Sequence, residues 1–162
     1  PNTVNFYEEY ELTLPSKSLF SIAYIFGGKG LISLDYEITK YSNSKFDDNN
    51  GNDIYMKSLN NSIKNRFNGF SESIRIGGEY RIKDYSIRTG YYYYKGPDSA
   101  YENYRSGVSL GFGVNYGFLN VDISISKSRD FNKNQLYNNG LTNLYSIDND
   151  IFTLFTTLRF KL

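Results

Sequence analysis

The 162-residue chain has no cysteine, no histidine and no tryptophan, and only one methionine and three prolines. Without cysteine there is no disulfide scaffold, no thiolate zinc site and no thiol nucleophile. Without histidine the commonest general base and transition-metal ligand is missing. An excess of one charge is missing too. Eighteen Lys and Arg stand against 17 Asp and Glu, a formal net charge of +1, which leaves no basic footprint for nucleic acid. The longest nearly apolar run, Leu19 to Phe26, is broken by Ser21. It is far shorter than the roughly 20 residues of a membrane-spanning helix. No charged segment leading into an apolar one is visible after Pro1, so a signal peptide is expected to have been removed already or never to have belonged to this segment. The length suits one domain or one piece of a larger one.

Aromatic residues are abundant, with 17 Tyr and 12 Phe. The mean hydropathy of −0.52 would suit a water-soluble protein, but strands of alternating polarity hide an oily face from any average.

The dominant pattern has a period of two. Ile32, Leu34, Tyr36 and Ile38 alternate with Ser33, Asp35, Glu37 and Thr39, which gives a strand one oily and one wet face. Segments 73–82, 85–94, 108–116 and 119–126 and the C-terminal stretch from Phe152 repeat the pattern, and 18–26 carries a weaker version. Short turns test it. With Lys83-Asp84 as a two-residue loop, Ile82 faces Tyr85, Tyr80 faces Ile87 and Glu79 faces Arg88. With Gly117-Phe118 as another, Val114 faces Val121 and Phe112 faces Ile123. A loop Gly28-Lys29-Gly30 would set Phe26 against Ile32 and Ile22 against Tyr36.

The other connections are long and polar: 42–70, with a short helix expected from Tyr55, Leu59, Ile63 and Phe67 and Asp53 as its cap; 96–105; and 129–150. Short turns on one side and long loops on the other are the habit of bacterial outer-membrane barrels. The expected fold is therefore all-β, an antiparallel transmembrane β-barrel segment over 1–162, with 42–70 and 129–150 as extracellular loops. A soluble β-barrel binding protein has the same strand alternation and stays open as an alternative. The strand count is also open. Residues 7–15 are either a separate strand, giving eight and a small self-contained barrel with a structural or surface role, or an extension of the next strand. The latter gives seven, which need further strands or another chain to close.

The stretches Tyr10 to Lys17, Ser21 to Gly27, Lys29 to Glu37 and Tyr41-Ser42, followed by Ile74 to Arg81 and Arg88 to Tyr91, resemble FadL/TodX-type outer-membrane transport proteins in the form seen in Bacteroidetes. That resemblance implies a 14-stranded barrel with an N-terminal plug, passive uptake of long-chain fatty acids or other hydrophobic compounds, and a place for this chain in the C-terminal half. It thereby favours seven strands over eight. The plug and the family's lateral opening have no counterpart here, and Phe160 is followed by Lys161-Leu162 where a terminal aromatic is usual. Expected partners are membrane lipid and lipopolysaccharide, a hydrophobic small molecule, and the rest of a barrel or another chain.

The candidate ligand-binding or lumen-lining residues are Asp35, Glu37, Arg75, Glu79, Arg88, Tyr92, Tyr94, Asp122 and Arg159, which share the polar face. Solvated or mutually paired charges are the simpler reading of most of them, and Glu79 with Arg88 reads as structural. The run Asp47 to Asp53 hints at calcium, but counted from Asp47 the glycine falls at position five and Ser58 at position twelve, so an EF-hand fails. No nucleophile-base arrangement, phosphate loop or metal constellation emerges. An enzyme and a cofactor are not expected.

Overall fold

A computed structural model of the chain describes residues 10–48, 54–137 and 143–161. The expected strand residues become a seven-stranded antiparallel sheet in simple meander order: β2 (Ser16–Phe26), β3 (Gly30–Lys40), β5 (Ser71–Ile82), β6 (Tyr85–Lys95), β7 (Asn103–Asn115), β8 (Leu119–Gln135) and β9 (Leu144–Phe160). The sheet is open, with β2 and β9 as its edges. Residues Tyr10–Thr13 form β1, which stands outside this sheet and pairs with β4 (Lys45–Asp48). The N-terminal stretch is thus not an eighth strand of the sheet; it precedes β2 across a break at Leu14-Pro15, as the seven-strand alternative with its interruption at Pro15 has it. The β2–β3 hairpin is interrupted at Leu14-Pro15 and by a 3-10 turn at Tyr41–Asn43, then resumes as β1–β4. Tyr7, Glu8 and Glu9 lie outside the described residues.

Two hairpins have the expected register. Lys83-Asp84 sets Glu79 opposite Arg88 and Ile82 opposite Tyr85, and Gly117-Phe118 sets Val114 opposite Val121. The first central residue of each turn has positive φ, 53° at Lys83 and 80° at Gly117, as the right-handed twist of paired strands favours. The third hairpin is a correction. Its loop is Gly27-Gly28-Lys29, with Phe26 opposite Gly30 and Ile22 opposite Leu34. Gly27 and Gly28 both take positive φ, and Lys29 N–H donates to the Phe26 carbonyl at 3.2 Å. The tight turn uses the first two glycines, so the register shifts by two and each side chain keeps its face.

The third expected loop, 129–150, is also shorter than composition suggests. β8 continues to Gln135 and β9 begins at Leu144, with Arg129 opposite Asp150. Polar residues on both faces resemble a loop in sequence, yet opposite charges facing across a ladder support a strand. β7 likewise starts at Asn103, inside the expected loop 96–105. The helix expected within 42–70 is α1 (Ile54–Arg66), while Asp53 lies outside the described residues. Asn60 fastens α1 to β4, accepting from Phe46 N–H at 2.8 Å and donating to the Phe46 carbonyl at 2.7 Å.

The sheet has no core. Among the described residues no apolar side chain is buried, and the buried ones are Thr39, Ser71, Ser73 and Ser86. One face presents Ile22, Ile32, Ile76, Ile87, Leu110 and Ile123, all exposed. Aromatic rings border this aliphatic band. Near the short turns Tyr24, Phe26 and Tyr80 lie ring over ring at 6.4 and 6.0 Å. At the opposite end Tyr93, Tyr104 and Phe131 do so at 6.2 and 5.2 Å. On β8 and β9 the apolar series stops at Ile125 and Phe152, and beyond it Lys127 and Arg129 pair with Asp150 and Asp148.

Candidate functional site

The other face is mostly polar, with Leu19, Ile25, Leu31, Ile151 and Phe155 also exposed on it, and all nine sequence-predicted residues point from it because their strand parity is opposite to that of the aliphatic band. They fall into two groups. Toward the short turns, Arg88 is the hub. Its Nε donates to Glu79 at 2.8 Å and its Nη1 to Asp122 at 2.6 Å, while Arg81 also donates to Glu79. Glu79 is the direct cross-strand partner of Arg88, but Asp122 lies two strands away on β8. Gly113 on the intervening β7 makes that reach possible: a Cβ there would fall 2.3 Å from Asp122 Oδ1 and 2.5 Å from Ser86 Oγ. Arg88, Asp122 and Arg159 border a concavity of about 490 Å³. Arg159 sits opposite Asn120, whose buried Oδ1 has no hydrogen-bond partner.

Toward the long loops, Arg75, Tyr92 and Tyr94 border a second concavity of about 510 Å³ with Arg105 and Asp130. Tyr92 is opposite Arg75 on one side and Gly107 on the other, and Tyr94 is opposite Arg105. Because position 107 has no side chain, the Tyr92 ring lies across β7, its Cε1 only 2.4 Å from where a Cβ would stand. Glu37 joins β2 to β5, 2.9 Å from Lys17 Nζ and 3.5 Å from Arg75 Nη2. Asp35 is opposite both Ser21 and Arg75 but stays apart from the second concavity.

Sequence reasoning missed Lys17, Arg105 and Asp130. Arg105 and Asp130 pair at 3.1 Å, and Asp130 also accepts from Asn132 at 2.8 Å. Their parity placed them on the polar face, so extending the alternation of 108–116 and 119–126 by a few residues would have found them. Between the two groups the polar face is floored by Gly90, Ser109, Gly111 and Ser124, with Gly90 opposite Ser109 and Gly111 opposite Ser124. Chemically the face offers charge, phenol and hydroxyl groups around open space. Among the described residues no group of three acidic, His or Cys side chains could hold a metal ion. Comparison with family models, with curated proteins and with solved structures gives no match to this chain.

Proposed function

We propose that this chain is one wall of an outer-membrane β-barrel of the FadL type, which lets long-chain fatty acids or other hydrophobic compounds pass inward without coupled energy. The observation that carries this reading is the absence of buried apolar side chains in a sheet that presents one continuous apolar face. In water such a face would leave most of the hydrophobic driving force unrealised, at roughly 25 cal/mol for each Å² left wet. Acyl chains would cover it. The band has suitable dimensions and borders. Tyr85 to Tyr93 on β6 matches the roughly 9–11 residues of a transmembrane strand, and aromatic rows flank the aliphatic band as interfacial girdles do. The polar face would then line the interior, and the unpaired edges of β2 and β9 would meet further strands, because an open edge is not tolerated in lipid.

Detergent dependence tests the membrane part. The protein extracted in micelles is expected to aggregate on dilution below the critical micelle concentration, and a monodisperse, folded species without detergent would overturn the reading. Uptake tests the transport part. Cells producing the protein are expected to take up labelled oleate faster than cells lacking it, and equal rates would remove that assignment.

A further inference from the structure

The apolar face ends differently at its two borders. At the short-turn border it carries Phe26, Ile82, Tyr85, Leu119 and Phe160, and none of its strand residues there is charged. At the long-loop border the same face, followed by parity along each strand, becomes charged. Lys127 and Arg129 are neutralised there by Asp150 and Asp148. Glu72, across the ladder from Lys95, accepts instead from the Tyr36 phenol at 3.1 Å. That leaves Lys40, Lys95 and Lys133, none of which has an ion pair among the described residues. They sit on β3, β6 and β8, with β5 and β7 between them. The ladders set Lys40 and Lys95, and again Lys95 and Lys133, two strands and two residues apart, roughly 12 Å between Cα atoms from ordinary strand spacings. Each stands beside a ring of the aromatic border. Lys40 Nζ lies 5.8 Å from the centre of the Phe70 ring. Lys95 is opposite Tyr104, which stacks on Tyr93 and Phe131, and Lys133 follows Phe131 on the same face.

Resting on the membrane reading above, in which the long loops lie outside, we infer that Lys40, Lys95 and Lys133 form a docking row for the phosphorylated headgroup of outer-leaflet lipopolysaccharide. A lysine stem can lie along an apolar or aromatic surface while its ammonium reaches the headgroup layer. The charge asymmetry carries the choice of leaflet, because lipid at the short-turn border would meet only apolar and aromatic strand residues. The spacing carries the choice of lipid. Strand side chains leave the sheet roughly perpendicular to it, so neighbouring ammoniums stay about as far apart as their Cα atoms. A glycerophospholipid with one phosphate would meet one lysine. The diphosphorylated disaccharide that anchors lipopolysaccharide holds two phosphates apart on one rigid body and meets a pair at once, through charge-assisted hydrogen bonds.

The test measures retention of radiolabelled diphosphoryl lipid A by the full-length protein, immobilised in nonionic detergent micelles with EDTA present. The wild type is expected to bind it more tightly than dephosphorylated lipid A or phosphatidylglycerol. Lys40→Gln, Lys95→Gln and Lys133→Gln should each weaken binding roughly fivefold, and the triple variant about a hundredfold. The triple Lys→Arg variant, which keeps the charges, should retain most of the affinity. Lys29→Gln, which removes the same charge from the first short turn at the opposite border, should bind as the wild type does. Equal affinity for the phosphorylated and dephosphorylated forms, or a triple glutamine variant that binds normally, would overturn the row, and a protein that still needs detergent would leave the membrane reading standing. Equal affinity for phosphatidylglycerol would overturn the choice of lipopolysaccharide. Binding only with added magnesium would assign the contact to an ion bridging the acids of this border and reject the lysines. A protein that is folded and monodisperse without detergent would overturn both readings. Where the glutamine variants do not fold, the arginine triple decides: a folded arginine triple that loses lipid A rejects the row.

Discussion

Arg88 reaches across an entire strand to Asp122, at 2.6 Å, over a glycine that leaves the path clear. The contact ties β6 to β8 without any ladder hydrogen bond between them. Gly113→Val would place carbon where Asp122 Oδ1 and Ser86 Oγ now lie, forcing the acid away from Arg88. The expected cost is about 1–3 kcal/mol, measured by denaturant unfolding in micelles. An unchanged midpoint would mean the ion pair relocates without loss.

The apolar band gives a depth-dependent prediction. Leu110, midway along β7, is 53% exposed, and Tyr104 lies near the band's border. Arginine near a bilayer midplane costs roughly 2–4 kcal/mol, falling to roughly 0–1 near an interface. Leu110→Arg should therefore destabilise the protein in lipid vesicles much more than Tyr104→Arg. Equal effects would argue against a bilayer around this face.

The lack of native cysteine permits a clean labelling experiment. Single cysteines at Ile123 and Ile125 should resist a membrane-impermeant maleimide in intact vesicles. Cysteines at Ser124 and Ser126 should react once the reagent enters the interior. A reactivity pattern without this two-residue period would refute the facing assigned to β8.

Acid should loosen one region before the rest. Arg129 Nε donates to Asp148 at 2.8 Å, beyond the apolar band, and this hydrogen bond holds the Asp148 carboxyl below its ordinary value. A carboxylate lowered in the folded state stabilises above its unfolded pKa of about 3.9 and loses that contribution as pH falls through the lower, folded value. Amide exchange in 128–134 and 146–150 should accelerate below about pH 4, while 119–125 stays protected. Uniform acceleration along β8 would contradict the assignment. Asp148→Asn should reproduce the acid effect at neutral pH.

Lys83 adopts a φ of 53° at a turn position that glycine, as at 117, fills without strain. Lys83→Gly should stabilise the β5–β6 hairpin by roughly 0.5–1 kcal/mol, visible as a higher unfolding midpoint. A lower midpoint would mean the lysine side chain contributes more than the backbone conformation costs.

The hairpins with one available turn were legible to the residue, because face pairing and turn length had to agree: Glu79 with Arg88 and Val114 with Val121 admit one register each. The Gly27 to Gly30 stretch holds three glycines, and alternation alone cannot choose between registers two apart. Strand ends were harder. Where Lys127 and Asp150 replace aliphatic residues the oily signal disappears, although the ladder continues on paired charges. The candidates on the polar face followed from parity. Which arginines are held tightly did not, because that depends on reaches across strands, such as Arg88 to Asp122, that no linear spacing encodes.

The meander alternates direction at every step, so β2 and β9, first and last of seven, run the same way. Laying a second identical sheet alongside would bring like-directed neighbours together at both joins, with slanted rather than perpendicular hydrogen bonds. A cylinder in which every neighbour opposes its partner needs an odd number of added strands whose first and last run opposite to β2 and β9, and a second copy facing the same way supplies the number but not the direction.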